Sequence, residues 1–117
     1  MGALCPRMLL QTDLWVGALI RRAQLGGAFP IVARKGDARA GAVLVKVVNR
    51  SDGTARLYAE ATRMEGEPVW MQPAKSDQEP ELDRYIERAA RIDPDIWVVE
   101  IEDRLGRHFL TEPVEPA

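Results

Sequence analysis

The sequence has 117 residues, of which 46% are hydrophobic and 29% are charged, and its formal net charge at pH 7 is −2. A chain of this length folds as one domain, and its composition excludes both general disorder and a membrane protein. The small net charge argues against a general nucleic-acid binder.

The N-terminal stretch and the cysteine content bear on the cellular compartment. MGALCPRMLL, the first ten residues, lacks the long apolar segment of a signal peptide. Cys5 is the only cysteine, so an intramolecular disulfide cannot form and nothing indicates an oxidising compartment. No run of the sequence approaches the roughly 20 apolar residues that span a bilayer. We therefore expect a cytoplasmic protein without membrane contact.

The charges are distributed unevenly along the chain. Residues 1–63 contain ten lysines and arginines against four aspartates and glutamates, which gives +6. Residues 64–117 contain six against fourteen, which gives −8. We expect the two oppositely charged parts to fold against one another.

The first predicted elements are a helix and two strands. Thr12 is a good N-cap candidate for an amphipathic helix, DLWVGALIRRAQL, which Gly26-Gly27 ends. A short strand starts at Pro30, and Gly36-Asp37 then provides a turn before the strand GAVLVKVVN. Both faces of that second strand carry apolar or β-branched residues, which predicts a central strand covered on both sides.

A hairpin and an edge strand come next. Ser51-Asp52-Gly53 predicts a tight turn into the antiparallel strand ARLYAEAT, because glycine readily adopts the positive φ that such turns need. VWMQ then resembles a short edge strand closed by Pro73. We expect Trp70, like Trp15 and Trp97, to lie in the core or to cover the sheet, and the alternative is that Trp70 on the edge strand forms part of an interface.

A second helix and a last pair of strands complete the prediction. Ser76 with Glu79 forms a capping box, or Pro80 occupies the first helical position, and the sequence leaves both open. The helix should end before Asp93, because that residue precedes a proline. DIWVVEIED is the next predicted strand, RLGR a turn, HFL the returning strand of a last hairpin, and TEPVEPA a flexible tail.

These elements predict a single α+β domain in the order α-β-β-β-β-α-β-β. Its sheet is mainly antiparallel, with five to six strands and two helices, because most connections are short and hairpin-like. The domain is expected over residues 12–110, with a flexible N-terminus over 1–11 and a flexible tail over 111–117.

The turn after the first strand is a candidate anion site. GDARAG has two glycines at P-loop spacing, but Ala42-Val43 follow in place of lysine and a hydroxyl residue, and a strand follows in place of a helix. A nucleotide P-loop is therefore excluded. Arg34, Lys35 and Arg39 would still hold a phosphate together with backbone N–H groups of the turn, whereas the simpler interpretation is a solvated turn.

Two other charged groups have competing interpretations. Glu100 and Glu102 lie on one strand face, and the predicted hairpin would bring His108 beside Glu102, which gives half of a metal site for a small hydrolase. The simpler interpretation is a solvated strand end. Arg84, Arg88 and Arg91 form a row on the second helix that would suit phosphates or an acidic partner. The simpler interpretation, which we favour, is an exposed face neutralised by intrahelical pairs such as Glu87 with Arg91.

The charge asymmetry suggests where the acidic strand lies. Lys46 sits in an otherwise apolar strand and must reach solvent or a carboxylate, because an unpaired buried ammonium costs several kcal/mol. We expect the strand that carries Glu100 and Glu102 to lie beside the first or second strand, where its carboxylates would complement the cationic segment.

Three stretches, RKGDARAGAVLVKV, DGTARLY and IDPDIWVVEIEDRLGRHFL, resemble a family of short alphaproteobacterial proteins known as domain of unknown function 1491. The resemblance runs from about Leu14 to Leu110. It implies a Gram-negative bacterial origin and a cytoplasmic role, and it brings no activity or cofactor with it. It draws attention to a set of positions within these stretches: Arg34, Gly36, Asp37, Glu100, Glu102 and Asp103.

The sequence as a whole favours a non-enzymatic module that binds a partner protein or a second copy of itself through a strand edge and a charged rim. We predict no cofactor, no metal, no catalytic residue, and no membrane or nucleic-acid partner. The alternatives are an anion, nucleotide or RNA binder using Arg34, Lys35 and Arg39, and a metal-assisted hydrolase using the Glu100, Glu102 and His108 group.

Overall fold

A computed structural model describes residues 10–116 as two helices and one five-stranded sheet. Across the sheet the strand order is β1-β5-β2-β3-β4; the β2–β5 pair is parallel and the other three pairs are antiparallel. The predicted α+β class with a mainly antiparallel sheet is confirmed. The bounds are α1 (Thr12–Leu25), β1 (Phe29–Arg34), β2 (Val43–Asn49), β3 (Thr54–Thr62), β4 (Pro68–Met71), α2 (Glu79–Ile92) and β5 (Trp97–Glu102).

The helices cover opposite faces of the sheet. α1 contributes Trp15 and Leu19 to an apolar cluster with Val45 and Val99, which we call the α1-side cluster. Leu82 of α2 belongs to a second cluster, the α2-side cluster, which is formed by the strand residues that alternate with those of the first. Coverage on both sides explains why every residue of β2 except its last is buried, as predicted for a central strand. Neither helix is long and apolar enough to cross a membrane.

β5 lies between β1 and β2, which confirms the expected position of the acidic strand. In the antiparallel β1–β5 pair Phe29 lies opposite Glu102, and Ile31 lies opposite Glu100. In the parallel β2–β5 pair Lys46 lies opposite Glu100. The acidic strand thus has the cationic segment on one side and the buried lysine on the other.

The predicted last hairpin is wrong, because HFL forms no strand. Both sides of β5 are already occupied by β1 and β2, so a returning strand has no side on which to pair with it. The chain instead turns away after β5, with Gly106 and Phe109 at φ values of 68° and 60°. Phe109 and Leu110 then pack against the α1-side cluster.

The C-terminal segment over residues 111–116 is docked, which corrects the flexible tail predicted there; Ala117 lies outside the described residues. The N–H of Trp70 donates to Pro113 O at 2.8 Å, and the N–H of Glu115 donates to Trp70 O at 2.7 Å, so this segment covers the outer side of β4. Glu112 accepts hydrogen bonds from the indole N–H groups of Trp70 at 2.9 Å and Trp15 at 3.3 Å. Residues 1–9 of the predicted flexible N-terminus, with Cys5, lie outside the described residues.

Trp70 is 1% exposed, so it lies in the core as expected for the tryptophans, and the alternative that placed it in an interface is wrong. Its ring stacks on Trp15 with a centroid distance of 5.3 Å. The edge strand itself was predicted correctly, but the sequence does not show that the C-terminal segment closes over it.

The helix starts differ from the predicted caps. Gln11, and not Thr12, occupies the N-cap of α1 and makes no side-chain cap. α2 begins at Glu79 with Pro80 in its first turn, which is close to the proline alternative. Ser76 Oγ accepts a hydrogen bond from the N–H of Gln78 at 3.1 Å, so it lies outside any capping box.

The start of α1 is capped by the loop between β1 and β2, residues 35–42, which we call the brace loop. Thr12 N–H donates to Arg39 O at 3.2 Å, and Asp13 N–H donates to Ala38 O at 2.9 Å. The Thr12 hydroxyl also donates to Gly41 O at 2.9 Å. Carbonyl oxygens of the loop thereby satisfy helix donors that would otherwise lack partners.

The brace loop also packs tightly on the start of β5. Trp97 Nε1 donates to Asp37 O at 2.7 Å, and the N–H of Asp37 donates to Asp95 O at 2.9 Å. A Cβ added at Gly36 would overlap the carbonyl oxygen of Asp95 and lie 2.7 Å from the Ile96 carbonyl carbon. The loop therefore needs glycine at this position because no space remains for a side chain.

We expect Gly36→Ala to lower the free energy of unfolding by about 1–3 kcal/mol, since the methyl group must displace backbone. Gly17→Ala is the matched control: it lies in α1 with nothing within 4 Å of an added Cβ, and alanine in a helix is favoured over glycine by about 0.5–1 kcal/mol. Urea unfolding followed by tryptophan fluorescence measures both. Equal stability of Gly36→Ala and wild type would show that the brace loop accommodates the methyl group at little cost in free energy.

Candidate interaction surface

The segment expected to hold an anion binds its own carboxylate. Asp37 Oδ2 accepts hydrogen bonds from the backbone N–H groups of Arg39 and Ala40, at 3.2 and 2.8 Å. The N–H of Gly41 donates to Asp37 O at 3.2 Å. Backbone donors that the anion hypothesis assigned to a phosphate therefore already have acceptors within the protein.

The cationic side chains of that hypothesis take different positions. Arg34 Nη2 donates to the carbonyl oxygen of Pro94 at 3.0 Å, and Arg34 Nε is buried without a hydrogen-bond partner in the described part of the chain. Lys35 and Arg39 are exposed. Arg34 thus contacts the connection into β5 through a backbone carbonyl, whereas the other two cations extend toward solvent.

Lys46 is 5% exposed and contacts three carboxylates. Its Nζ lies 2.8 Å from Glu79 Oε2, 2.7 Å from Asp83 Oδ1 and 3.5 Å from Glu100 Oε2. Burial opposes the ammonium charge, but the hydrogen bonds to Asp83 and Glu79 and the charge of Glu100 outweigh it and raise the pKa of Lys46. A lysine kept protonated in this way is not a nucleophile, so the cluster stabilises the fold.

The three residues of the hydrolase hypothesis are not brought together. Glu102 forms an ion pair with Arg50, with Nε and Oε1 3.0 Å apart. His108 packs edge-on against Tyr58 at a centroid distance of 5.2 Å, and Tyr58 belongs to the α1-side cluster. Glu100 and Glu102 alternate with the α1-facing residues of β5 and so lie on the other face. Within residues 10–116, no three His, Cys, Asp or Glu side chains are placed to hold a metal ion.

Asp103 fixes the turn after β5. Its carboxylate accepts hydrogen bonds from Arg107 Nε at 3.0 Å, Nη2 at 2.9 Å and backbone N at 2.8 Å. The side-chain hydrogen bonds of Arg107 lower the pKa of Asp103 to about 2. Arg107 Nη2 also donates to Gly26 O at 2.9 Å, so this pair ties the turn to the end of α1.

We define the β1 surface as Phe29 and Ile31 together with Glu100 and Glu102, which share one sheet face through the β1–β5 register. Phe29 is 74% exposed and Ile31 is 56% exposed. Among the described residues no strand pairs with the outer side of β1. A groove of about 340 Å³ adjoins it, lined by Gly27, Phe29, Arg50, Glu102, Asp103 and Arg104.

Phe29 and Ile31 were missed as site residues in the sequence. Pro30 between them was the available signal, because proline within a strand is typical of a sheet edge. The predicted site residues Gly36, Asp37 and Asp103 instead have the structural contacts described above. Glu100 and Glu102 are shared between ion pairs and the β1 surface.

Comparison of the sequence with known protein families identifies the family of this chain. The family described as "Protein of unknown function (DUF1491)" matches residues 10–111. The chain belongs to the DUF1491 family. The predicted resemblance is thereby confirmed over most of the sequence.

Solved structures of DUF1491 proteins share this fold. A crystal structure of a family member from Caulobacter crescentus CB15 has 77% identity and a TM-score of 0.89, covering 91% of this chain and 99% of its own. The solution NMR structure of a DUF1491 protein from the same organism has 77% identity and a TM-score of 0.87, covering 92% of this chain and 98% of its own. Protein Atu0922 from A. tumefaciens has 35% identity and a TM-score of 0.75, covering 92% and 97% respectively.

These organisms are both alphaproteobacteria, as the resemblance implied. No curated protein matches this DUF1491 chain. The arguments about its function therefore rest on the contacts and exposure of its own residues.

In this DUF1491 protein we expect Lys46→Met to lower the free energy of unfolding by about 2–4 kcal/mol, because three carboxylates would lose their shared cation. Arg50→Met is the matched control, since the Arg50–Glu102 pair is exposed to solvent and is expected to contribute little to stability. Urea unfolding at pH 7 compares the two variants. Similar small losses in both would show that the Lys46 cluster is no stronger than a surface pair.

Protonation of Asp103 should lower the free energy of unfolding at acid pH. Its pKa is about 2 in the folded protein and 3.8 ordinarily, so its hydrogen bonds stabilise the fold above the ordinary pKa and are lost as the pH falls from about 4 to about 2. We expect Asp103→Asn to cost about 1–3 kcal/mol at pH 7 and much less at pH 2. Urea midpoints from pH 2 to 7 test this, with exposed Asp95→Asn as control. A constant difference between Asp103→Asn and wild type would contradict the assignment.

Proposed function

We propose that this DUF1491 protein is a non-enzymatic interaction module of the cytoplasm, and that it binds a partner protein through the β1 surface. The exposure of Phe29 and Ile31 beside each other on an edge strand carries this proposal. Aromatic and aliphatic side chains surrounded by charged groups have the arrangement of a binding hot spot with a polar rim. Burial of both side chains by a partner would contribute about 1.5–3 kcal/mol each.

The charges along this face specify the chemistry of the partner. In the ion pairs on this face two cations oppose four carboxylates, and Arg104 in the adjoining groove reduces the excess to one negative charge. This excess favours a partner segment that combines apolar side chains with lysine or arginine, because complementary charge speeds association and fixes register. The groups concerned are Lys46 and Arg50 against Glu79, Asp83, Glu100 and Glu102.

A partner protein ranks ahead of a second copy of the chain because the backbone of β1 is poorly suited to strand pairing. Pro30 has no N–H to donate, and a bulge interrupts the strand between Val32 and Arg34. Both features are ones that natural sheets use to prevent pairing between edges. Binding through the Phe29 and Ile31 side chains does not require an uninterrupted strand.

The candidate catalytic groups support the non-enzymatic assignment. Lys46 and Glu100 neutralise each other within one cluster, and Glu102 pairs with Arg50. His108 lies against Tyr58 on the other face of the sheet. A general acid and base must reach one substrate together, and these groups do not share a cleft.

Photo-crosslinking tests this proposal. A benzoylphenylalanine at position 29 is expected to capture a partner in the native bacterium, whereas the same group at Met64, an exposed turn residue, is not. The captured protein is then purified and titrated against wild type and the Phe29→Ala, Ile31→Ala double variant. We expect at least tenfold weaker binding by the double variant and no change for Met64→Ala.

Three outcomes contradict the proposal. Equal affinity of wild type and the double variant would remove the β1 surface from the interface. Affinity independent of ionic strength would remove the role assigned to the excess negative charge. Crosslinks only between copies of this chain, with a concentration-dependent dimer in ultracentrifugation, would assign the surface to self-association.

A further inference from the structure

α2 separates its charged side chains onto two flanks. Glu79 and Asp83, one turn apart, both bind Lys46 at the side of the helix that faces β2 and β5. Helical spacing of 3.6 residues per turn places Arg84 and Arg88 on the opposite flank, beside Tyr85. Asp83 is therefore engaged by Lys46 and lies away from these arginines.

The arginines on that flank form no ion pair with the described residues. Among residues 10–116, neither Arg84 nor Arg88 forms an ion pair within 4.0 Å, and the expected pair of Glu87 with Arg91 does not form either. Like charges four residues apart on a helix repel one another. Two adjacent arginines without carboxylate partners are thus unfavourable for the isolated helix and suited to an external anion.

These arginines line a groove between α2 and the connection from β4, which we call the α2 groove. Its volume is about 430 Å³. Tyr85 forms a fixed wall, because its ring packs on the α2-side cluster. Ser76 Oγ accepts a hydrogen bond from Gln78 N–H, which leaves its own O–H to donate. The lining residues are Pro73, Ala74, Lys75, Ser76, Glu81, Arg84, Tyr85 and Arg88.

We propose that the α2 groove binds the phosphate group of a small organic phosphate. Lys75, Arg84 and Arg88 oppose the single carboxylate of Glu81, so the lining carries two positive charges in excess. Arginine presents a planar fork of donors that matches phosphate oxygens, and lysine adds a point charge. The site lies on the β4 side of α2 and does not depend on the β1 surface.

The dimensions and charge favour a small ligand over a nucleic acid. A volume of about 430 Å³ falls within the range of roughly 300–1,000 Å³ found for small-molecule sites. The chain as a whole has a net charge of −2, which opposes the extended phosphate contacts of a nucleic-acid interface. One or two phosphate groups match the local excess of positive charge.

Titration of the ¹⁵N-labelled full chain with pyrophosphate, adenosine monophosphate or adenosine tests the proposal by NMR. We expect saturable shifts of the Lys75, Ser76 and Tyr85 amides with the two phosphates and none with adenosine. The Arg84→Gln, Arg88→Gln double variant should bind pyrophosphate at least tenfold more weakly. Arg21→Gln, an exposed arginine of α1, is the matched control and should bind as wild type does.

The double variant should retain the wild-type melting temperature, because both arginines are exposed. Absence of saturable shifts up to millimolar pyrophosphate would overturn the proposal. Equal binding by wild type and the double variant would also overturn it, since the charge would then come from elsewhere. Tighter binding of a tetraglutamate peptide than of either phosphate would assign the groove to acidic protein segments instead.

Discussion

The position of β5 between β1 and β2 is the constraint on which the rest of the structure depends. It places Glu100 beside Lys46, so a cation in a buried central strand acquires part of its neutralising charge. It also brings the start of β5 against the brace loop, which in turn caps α1. Since both sides of β5 are occupied, the residues after it must leave the sheet and pack elsewhere.

Local patterns in the sequence were sufficient for most of the elements. Gly53 marks the β2–β3 turn, and the apolar spacing of α1 and α2 defines both helices to within a few residues. Lys46 could be predicted to need a carboxylate, because burial of an ammonium without one is unfavourable. Its two nearest partners, Glu79 and Asp83, could not, since they depend on how α2 is rotated about its axis when it packs on the sheet.

The candidate sites were harder to predict because each depends on contacts distant in sequence. The pairing of Glu102 with His108 assumed a hairpin that the occupied sides of β5 do not allow. The brace loop has the composition of an anion-binding turn, yet Asp37 supplies the anion from within. Glu112 lies in a stretch with no local pattern, and its burial follows from Trp15 and Trp70, which are far from it in the chain.

The C-terminal segment along β4 makes the two edges of the sheet different. The edge at β4 is covered by the chain itself, through Pro113 and Glu115. Within residues 10–116, no segment pairs with the outer edge of β1. Filament growth by pairing of edge strands requires an open edge on each side of every subunit, so that each added copy exposes a new one. Here a dimer formed through β1 would bury the open edge of both copies, so assembly would stop at two subunits.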